Sequence, residues 1–181
     1  AEQSVPGANG LIFLPYLSGE RTPIWDAEAS AAWIGLRLSH TRQDMVRAAF
    51  EGAAFGLRQI LLKAEERWNY RPNKLVGVGA GARSRFWAQI KADILKLDYA
   101  MAETVDASAL GAALLGGVAA GLFSDTLDSD LPKIRTNVNV IHPGPQNRQA
   151  IYDRLSGIFD ALYPSLRDSM HALAVPVSTN H

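Results

Sequence analysis

The sequence contains no cysteine among its 181 residues. Disulfides and zinc–thiolate sites are therefore excluded, and the composition is typical of a protein of the reducing cytoplasm. Neither sign of charge is in excess, since 18 Lys and Arg balance 18 Asp and Glu. Because nucleic-acid binding needs a basic surplus or a basic stripe, we expect no nucleic-acid partner.

Several motifs of catalysis and metal binding are also missing. No serine lies in a Gly-x-Ser-x-Gly elbow, and no lysine ends a Gly-x-x-x-x-Gly-Lys phosphate loop. Glu51 is predicted to lie mid-helix, exposed or paired, and Asp26 and Asp44 are predicted to be turn and cap residues. We therefore expect neither a catalytic residue nor a metal ligand in this chain. The histidines show no metal-ligand spacing; they are His40, His142, His171 and His181.

The sequence has no long hydrophobic run of the kind that anchors a protein in a membrane. The most apolar stretch, Ala107–Phe123, has 17 residues, which is short for a membrane span, and favours a buried helix rich in Gly and Ala. The chain opens Ala-Glu-Gln-Ser, without an initiator Met or a basic-then-apolar signal. We expect a globular piece of a longer protein with no membrane partner, since 48% of the residues are hydrophobic and 20% charged.

The order of the predicted elements indicates one layered α/β domain. Strands alternate with helices after an opening pair of strands, and this pair predicts an antiparallel edge on a mixed sheet. A 3.6-residue apolar repeat near the C-terminus predicts a closing helix, which Pro164 should end or kink. The predicted strands are 11–17, 32–38, 74–79 and 98–103, the predicted helices are 41–67, 84–96, 106–121 and a closing helix from Ile151, and 124–146 is predicted to be loop.

A stripe of small residues runs along one face of the first predicted helix. Ala48, Gly52 and Gly56 recur at intervals of four, so they share one face without side-chain bulk. Such a face allows another backbone to approach closely, and tight packing is the expected role.

A glycine turn between a predicted strand and a predicted helix is the best local candidate for ligand binding. Gly79 and Gly81 allow a sharp turn, and the helix that follows offers its N-terminus to an anion. A purely structural turn explains the same residues equally well. The spacing Gly79-x-Gly81-x-x-Ser84, with Glu103 ending the next strand, also resembles a dinucleotide-binding turn in which Ser84 replaces the third glycine.

A polar loop at residues 18–23 is the second candidate. Gly19 frees the backbone and Arg21 supplies a positive charge, so the loop could contact phosphates. A Glu20–Arg21 pair on a solvated turn is the simpler interpretation.

Four segments together resemble the second domain of the FGGY family of carbohydrate kinases, its xylulokinase-like and gluconokinase-like members especially. They are LIFLPYLSGERTPIWD at 11–26, AAWIGLRLSHTRQDMVRAAFE at 31–51, GVGAGARSRFWAQIKADIL at 77–95 and ALGAALLGGVAAG at 109–121. The second segment fits a family signature at Gly35, Leu36, Asp44, Met45, Ala48, Ala49, Phe50 and Glu51.

The resemblance implies a ribonuclease-H-like, actin-like ATPase fold, with a mixed sheet and helices on both faces. Residues 1–181 would form the C-terminal lobe, with 124–181 as a loop plus closing helix, and the N-terminal lobe would lie outside this chain. The full enzyme would use ATP and Mg²⁺ to phosphorylate xylulose or a similar pentulose, with gluconate or another polyol as the alternative. Alternatives from other classes are a nicotinamide-dinucleotide-binding oxidoreductase domain and a non-catalytic actin-like module.

The resemblance also implies site residues and partners. The cleft loop Gly19, Glu20 and Arg21 would lie near the phosphates, and the catalytic aspartate would lie in the N-terminal lobe, so this chain alone should be inactive. The expected partners are the sugar, ATP, the protein's own N-terminal lobe and, as a further option, a second copy in a homodimer. One departure from the family is Ala80, where a glycine is usual, and its methyl group should tighten the pocket. The pocket for adenine and ribose would be lined by Gly79, Ala80, Gly81, Ala82, Arg83 and Ser84.

Overall fold

The computed structural model describes residues 1–102, 106–123 and 139–174. Its strands are β1 (Ile12–Leu14), β2 (Ala32–Ile34), β3 (Lys74–Gly77), β4 (Asp98–Met101) and β5 (Asn139–Ile141). Its helices are α1 (Arg42–Trp68), α2 (Arg85–Leu95), α3 (Ala107–Ala119) and α4 (Gln146–Ala174). None of the helices in these ranges is long and apolar enough to cross a membrane.

Helix α1 begins at a capping box, as the sequence predicts. The Thr41 side chain accepts from the Asp44 backbone N–H, and the Asp44 carboxylate accepts from the Thr41 N–H at 2.8 Å. These two bonds satisfy donors that the first turn of a helix otherwise leaves unpaired. The helix ends at Asn69, which has the left-handed conformation common after a last turn.

The opening pair of strands forms a separate sheet rather than the edge of a larger one. Strands β1 and β2 pair antiparallel, with Ile12 opposite Ile34 and Leu14 opposite Ala32, and in the described residues no other strand joins them. The prediction of an edge on the mixed sheet is therefore wrong. Both strands are only three residues long, since Pro15 follows β1 and Gly35, with φ of 85°, follows β2.

The second sheet is mixed, in the order β3–β4–β5. Strands β3 and β4 are parallel and joined through α2, whereas β5 is antiparallel to β4. The prediction of loop over 124–146 is wrong for β5, because Val140 and Ile141 complete a ladder on β4 that a three-residue segment cannot signal by periodicity. The part of that prediction covering 124–138 lies outside the described residues.

The main core lies between α1, α2, α4 and β1. Phe55 of α1 meets Phe159 of α4 with ring centroids 5.3 Å apart, and Ile90 and Ile94 of α2 are buried in the same cluster. Pro164 is predicted to end or kink the closing helix. Helix α4 does not end there and continues through Pro164. Continuation is favoured because residues beyond the proline, including the buried Met170, still pack on this core.

The small-residue stripe is confirmed at one of its two glycines. A Cβ atom placed on Gly52 would lie 2.1 Å from the carbonyl oxygen of Phe13, so β1 passes directly over the α1 backbone there. A Cβ atom on Gly56 would meet nothing within 4 Å. Close approach therefore explains Gly52 and leaves Gly56 without a packing role.

Candidate functional site

The glycine turn connects β3 to α2 through a short 3₁₀ segment. Gly79 has φ of 81° and ψ of −177°, a backbone conformation that is essentially restricted to glycine. The turn closes with a hydrogen bond from the Ala82 N–H to the Gly79 carbonyl at 3.1 Å. Ser84 then caps α2, its hydroxyl accepting from the Trp87 N–H at 3.2 Å.

The turn presents its backbone and two of its side chains to solvent. Ala80 and Arg83 are exposed, whereas the Ala82 side chain is buried in the protein. The side of Gly81 that would carry a side chain faces inward, where a Cβ atom would lie 2.7 Å from Cζ3 of Trp87. The Ala80 methyl and the Arg83 guanidinium are thus the side-chain groups of the turn most open to a ligand.

A buried lysine lies behind the turn, and sequence analysis missed it. Lys91 Nζ lies 3.7 Å from the ring centroid of Trp87 and 3.2 Å from the Tyr99 hydroxyl. Burial lowers the pKa of Lys91. A lysine on the apolar face of a predicted helix was the one available signal, because Lys91 follows Trp87 by four residues and so shares its face. The indole ring of Trp87 thus lies between Gly81 and the ammonium group of Lys91.

The cleft loop is folded back on itself. Glu20 and Asp26 form an antiparallel bridge, with N–H to carbonyl distances of 2.8 and 2.7 Å. The Glu20 carboxylate accepts from the N–H groups of Arg21 at 2.8 Å and Thr22 at 3.1 Å. Glu20 therefore caps its own loop and does not pair with Arg21 through the side chain, and the Arg21 guanidinium is exposed.

Asp26 joins this loop to α4. One carboxylate oxygen accepts from the Glu28 N–H at 2.9 Å, as expected for a turn residue. The other accepts from the Tyr163 hydroxyl and from Nε2 of His171, the latter at 2.6 Å. The hydrogen bonds from Tyr163 and then His171 hold the pKa of Asp26 well below its usual range.

The acids of the family signature anchor the N-terminal segment on α1. Asp44 accepts from the Ser4 hydroxyl at 2.5 Å and the Asn9 amide at 3.0 Å, and with Thr41 these bonds lower its pKa. Asp44 is therefore a cap residue, as predicted, and also a long-range anchor.

Glu51 is paired and buried, with 2% of its surface exposed. One carboxylate oxygen receives hydrogen bonds from Gly7 N–H at 3.0 Å, Arg47 Nε at 2.7 Å and the Tyr152 hydroxyl at 2.8 Å. Burial raises the pKa of Glu51, and the three donors oppose that effect. A carboxylate with these fixed partners and no access to solvent cannot serve as a general base toward a bound substrate.

An apolar cavity of about 600 Å³ shares Trp87 with the surroundings of the glycine turn. Among the described residues that line it, Arg42 is the charged one, and the others are aromatic or aliphatic. It offers no acid or base for chemistry and few donors for a polyanion. We therefore place the candidate site at the two loops and not in this cavity.

The structure keeps the two candidate loops as separate units. No hydrogen bond or ion pair among residues 1–102, 106–123 and 139–174 joins the 18–23 loop to the 79–84 turn. Within the same ranges, no group of three or more His, Asp or Glu side chains could hold a metal ion.

The chain is similar throughout to carbohydrate kinases. It belongs to the FGGY family of carbohydrate kinases, because the model of the family's C-terminal domain matches residues 1–120. It is 34% identical over 163 residues to a xylulose kinase of Staphylococcus epidermidis, covering 90% of this chain and 32% of that enzyme. It is 39% identical over 121 residues to a gluconokinase of Bacillus licheniformis, covering 67% of this chain and 24% of that enzyme.

The solved structures agree with this assignment. A ligand-bound xylulose kinase from Lactobacillus acidophilus superposes with a TM-score of 0.77 at 29% identity, covering 95% of this chain and 34% of that one. The likeness confirms the ribonuclease-H-like, actin-like ATPase fold and the mixed sheet. Family membership contradicts the dinucleotide-binding alternative, and Glu103, on which it also depended, lies outside the described residues. The chain spans about a third of the length of the relatives it matches.

Proposed function

We propose that this chain is the C-terminal, nucleotide-binding lobe of an ATP-dependent sugar kinase whose full-length form transfers the ATP γ-phosphate to a hydroxyl of xylulose. The observation that carries the proposal is the 34% identity to a xylulose kinase across 90% of the chain. In this proposal residues 1–181 form one lobe, and the catalytic aspartate and most sugar contacts lie in an N-terminal lobe. The protein would act in the cytoplasm.

The glycine turn is proposed to bind the adenine and ribose of ATP. The glycine-only conformation of Gly79 and the exposed face of Ala80 and Arg83 support this role, because they leave the turn's backbone accessible to a planar ligand. The buried Ala82 and the capping Ser84 would hold the turn rather than contact the nucleotide. Trp87 would fix Gly81 from behind.

The cleft loop is proposed to lie near the ATP phosphates. The Glu20 carboxylate is turned toward the loop's own N–H groups, and the exposed Arg21 supplies the positive charge that a phosphate would meet. Arginine suits phosphate because its guanidinium donates in a fork that matches two phosphate oxygens.

Magnesium is proposed to enter with ATP and not through a site in this chain. The described residues contain no cluster of ligands for a metal ion, and Mg²⁺ in kinases commonly relies on substrate phosphates and waters with only one or two carboxylates. Phosphoryl transfer itself depends on positioning and on neutralising charge, which requires both lobes.

An assay of the full-length protein tests the proposal directly. Purified enzyme is given ATP and Mg²⁺ with xylulose, ribulose, gluconate or glycerol, and ADP release is followed. We expect kcat/KM to be highest for xylulose. Highest activity with gluconate would favour the second candidate, which the 39% identity to a gluconokinase supports. ATP binding without phosphorylation of any acceptor would contradict the kinase assignment and favour a non-catalytic actin-like module.

A further inference from the structure

The Asp26 carboxylate, at the base of the cleft loop, hydrogen-bonds the C-terminal half of α4. Asp26 accepts from the Tyr163 hydroxyl and from His171 Nε2 on one oxygen, and its side chain is only 12% exposed. Tyr163 and His171 lie two turns apart on α4, so both donors come from one rigid element.

Hydrogen bonds within the loop link it to Asp26. The two backbone bonds between Glu20 and Asp26 form the neck, and the Glu20 carboxylate holds Arg21 and Thr22. A groove of about 680 Å³ lies within this segment, and its charged lining residues are Arg21 and the carboxylates Glu20, Asp26 and Glu28. Whatever fixes Asp26 therefore fixes the direction in which Arg21 is presented.

Helix α4 is a firm anchor for such a contact. Tyr152 and Phe159 are buried in the main core, and Met170, one residue before His171, is buried there too. Tyr163 also packs edge-on against Tyr16, with ring centroids 5.8 Å apart. The loop is thus tied to the core through the helix and not through its own apolar side chains alone.

His171 faces carboxylates on both of its ring nitrogens. Nε2 lies 2.6 Å from Asp26, and Nδ1 lies 3.4 Å from Glu28 Oε2. Of these two contacts, the one with Asp26 is a hydrogen bond.

We propose that Asp26, Tyr163 and His171 form a positioning latch that sets the cleft loop, and with it Arg21, for the phosphates of ATP. The position of the loop near the phosphates rests on the proposed function. The latch itself rests on the contacts between the loop and α4. Its three residues act through the loop and are positioning residues, not catalytic ones.

Hydrogen exchange on the full-length protein tests the latch without relying on activity. Protection factors for peptides covering 18–28 are compared in wild type, Tyr163→Phe and His171→Gln under identical conditions. We expect each variant to lose protection in this loop by about tenfold, since hydrogen bonds to a charged group are lost.

Matched controls come from the same chain. His142 pairs with Asp98 at 2.8 Å on the surface, with 72% of its side chain exposed, so His142→Gln removes an equivalent His–Asp contact elsewhere. Tyr70→Phe removes an exposed phenol. Both controls should exchange like wild type. The latch would be overturned if the loop were as well protected in Tyr163→Phe and His171→Gln as it is in the two controls.

Kinetics then separate the latch from the proposed function. If wild type phosphorylates a sugar, both latch variants should raise KM for ATP several-fold and leave KM for the sugar nearly unchanged. An increase in KM for the sugar alone would overturn the link to phosphates. If wild type phosphorylates none of the acceptors, the proposed function fails, while the exchange data still decide whether the latch exists.

Discussion

The indole ring of Trp87 occupies the space into which a side chain at Gly81 would project. A Cβ atom on Gly81 would lie 2.7 Å from Trp87 Cζ3, closer than real Cβ atoms approach a neighbour. The glycine is required by the protein's own packing on this side of the turn. Its opposite, solvent-facing backbone is the part left for a ligand.

Replacing Gly81 should therefore displace the turn and weaken ATP binding. For Gly81→Val in the full-length enzyme, we expect KM for ATP to rise much more than KM for the sugar, because overpacking costs about 1–3 kcal/mol. Steady-state kinetics with each substrate varied in turn measures both constants. Gly116→Val is the control, since a Cβ atom there meets nothing within 4 Å.

The reason for the Gly81 effect can be checked by making room behind it. Gly81→Ala combined with Trp87→Phe should recover part of the ATP affinity that Gly81→Ala alone loses. If Gly81→Val raises KM for ATP and KM for the sugar equally, with the fold intact, Gly81 has only a structural role in the turn.

The two glycines of the α1 stripe should respond in opposite directions to alanine. Gly52→Ala places a methyl group 2.1 Å from the Phe13 carbonyl oxygen, and we expect the free energy of unfolding to fall by about 1–3 kcal/mol. Gly56→Ala meets nothing within 4 Å and should gain about 0.5–1 kcal/mol from helix propensity. Urea unfolding followed by circular dichroism gives both values, and a similar loss in the two variants would refute the packing explanation.

Asp44 should account for part of the loss of stability in acid. Hydrogen bonds from Ser4 and Thr41 lower its folded-state pKa, so its contribution is present above the unfolded value of about 3.9 and is lost as pH falls toward the folded value. Asp44→Asn should cost about 1–2 kcal/mol at pH 7 through the lost cap. It should also flatten the stability profile between pH 5 and pH 2.

The control for Asp44 is an aspartate in an exposed ion pair. Asp153 pairs with Lys96 at 2.8 Å, with about half of its side chain accessible, and Asp153→Asn should keep the wild-type acid profile. An unchanged profile in Asp44→Asn would contradict a lowered pKa of Asp44 in the folded state.

The isolated chain should fold but not catalyse. A chain of this size buries about 70% of its unfolded surface, which is enough for a core of its own. Turnover should be absent because the proposed function places the catalytic group and the second wall of the cleft in the N-terminal lobe, and ATP affinity should be about millimolar or weaker, near −4 kcal/mol. Coupled ADP release with saturating ATP, Mg²⁺ and the sugars measures it. Sugar-dependent turnover that is abolished by Arg21→Ala would show that this lobe carries its own catalytic group.

Local patterns in the sequence were sufficient for most of the elements. The Thr41–Asp44 capping box, the start of α2 after Ser84 and the glycine turn are encoded within a few residues, so the sequence alone predicts them. The family resemblance also depends on contiguous segments, and the match over residues 1–120 confirms it. Short-range capping and turn chemistry act within one or two turns of helix, which is why they can be recognised without coordinates.

Tertiary structure decided the features that join distant residues. Strand β5 exists because β4 offers a free edge to Val140 and Ile141, and α4 continues past Pro164 because the residues beyond it pack on the core. Asp26 meets Tyr163 and His171 across sequence separations of 137 and 145 residues, and no local pattern indicates either contact. Such contacts form only where the packing of α4 brings the donors to the loop, so the sequence alone determines the parts and the folded core determines which of them meet.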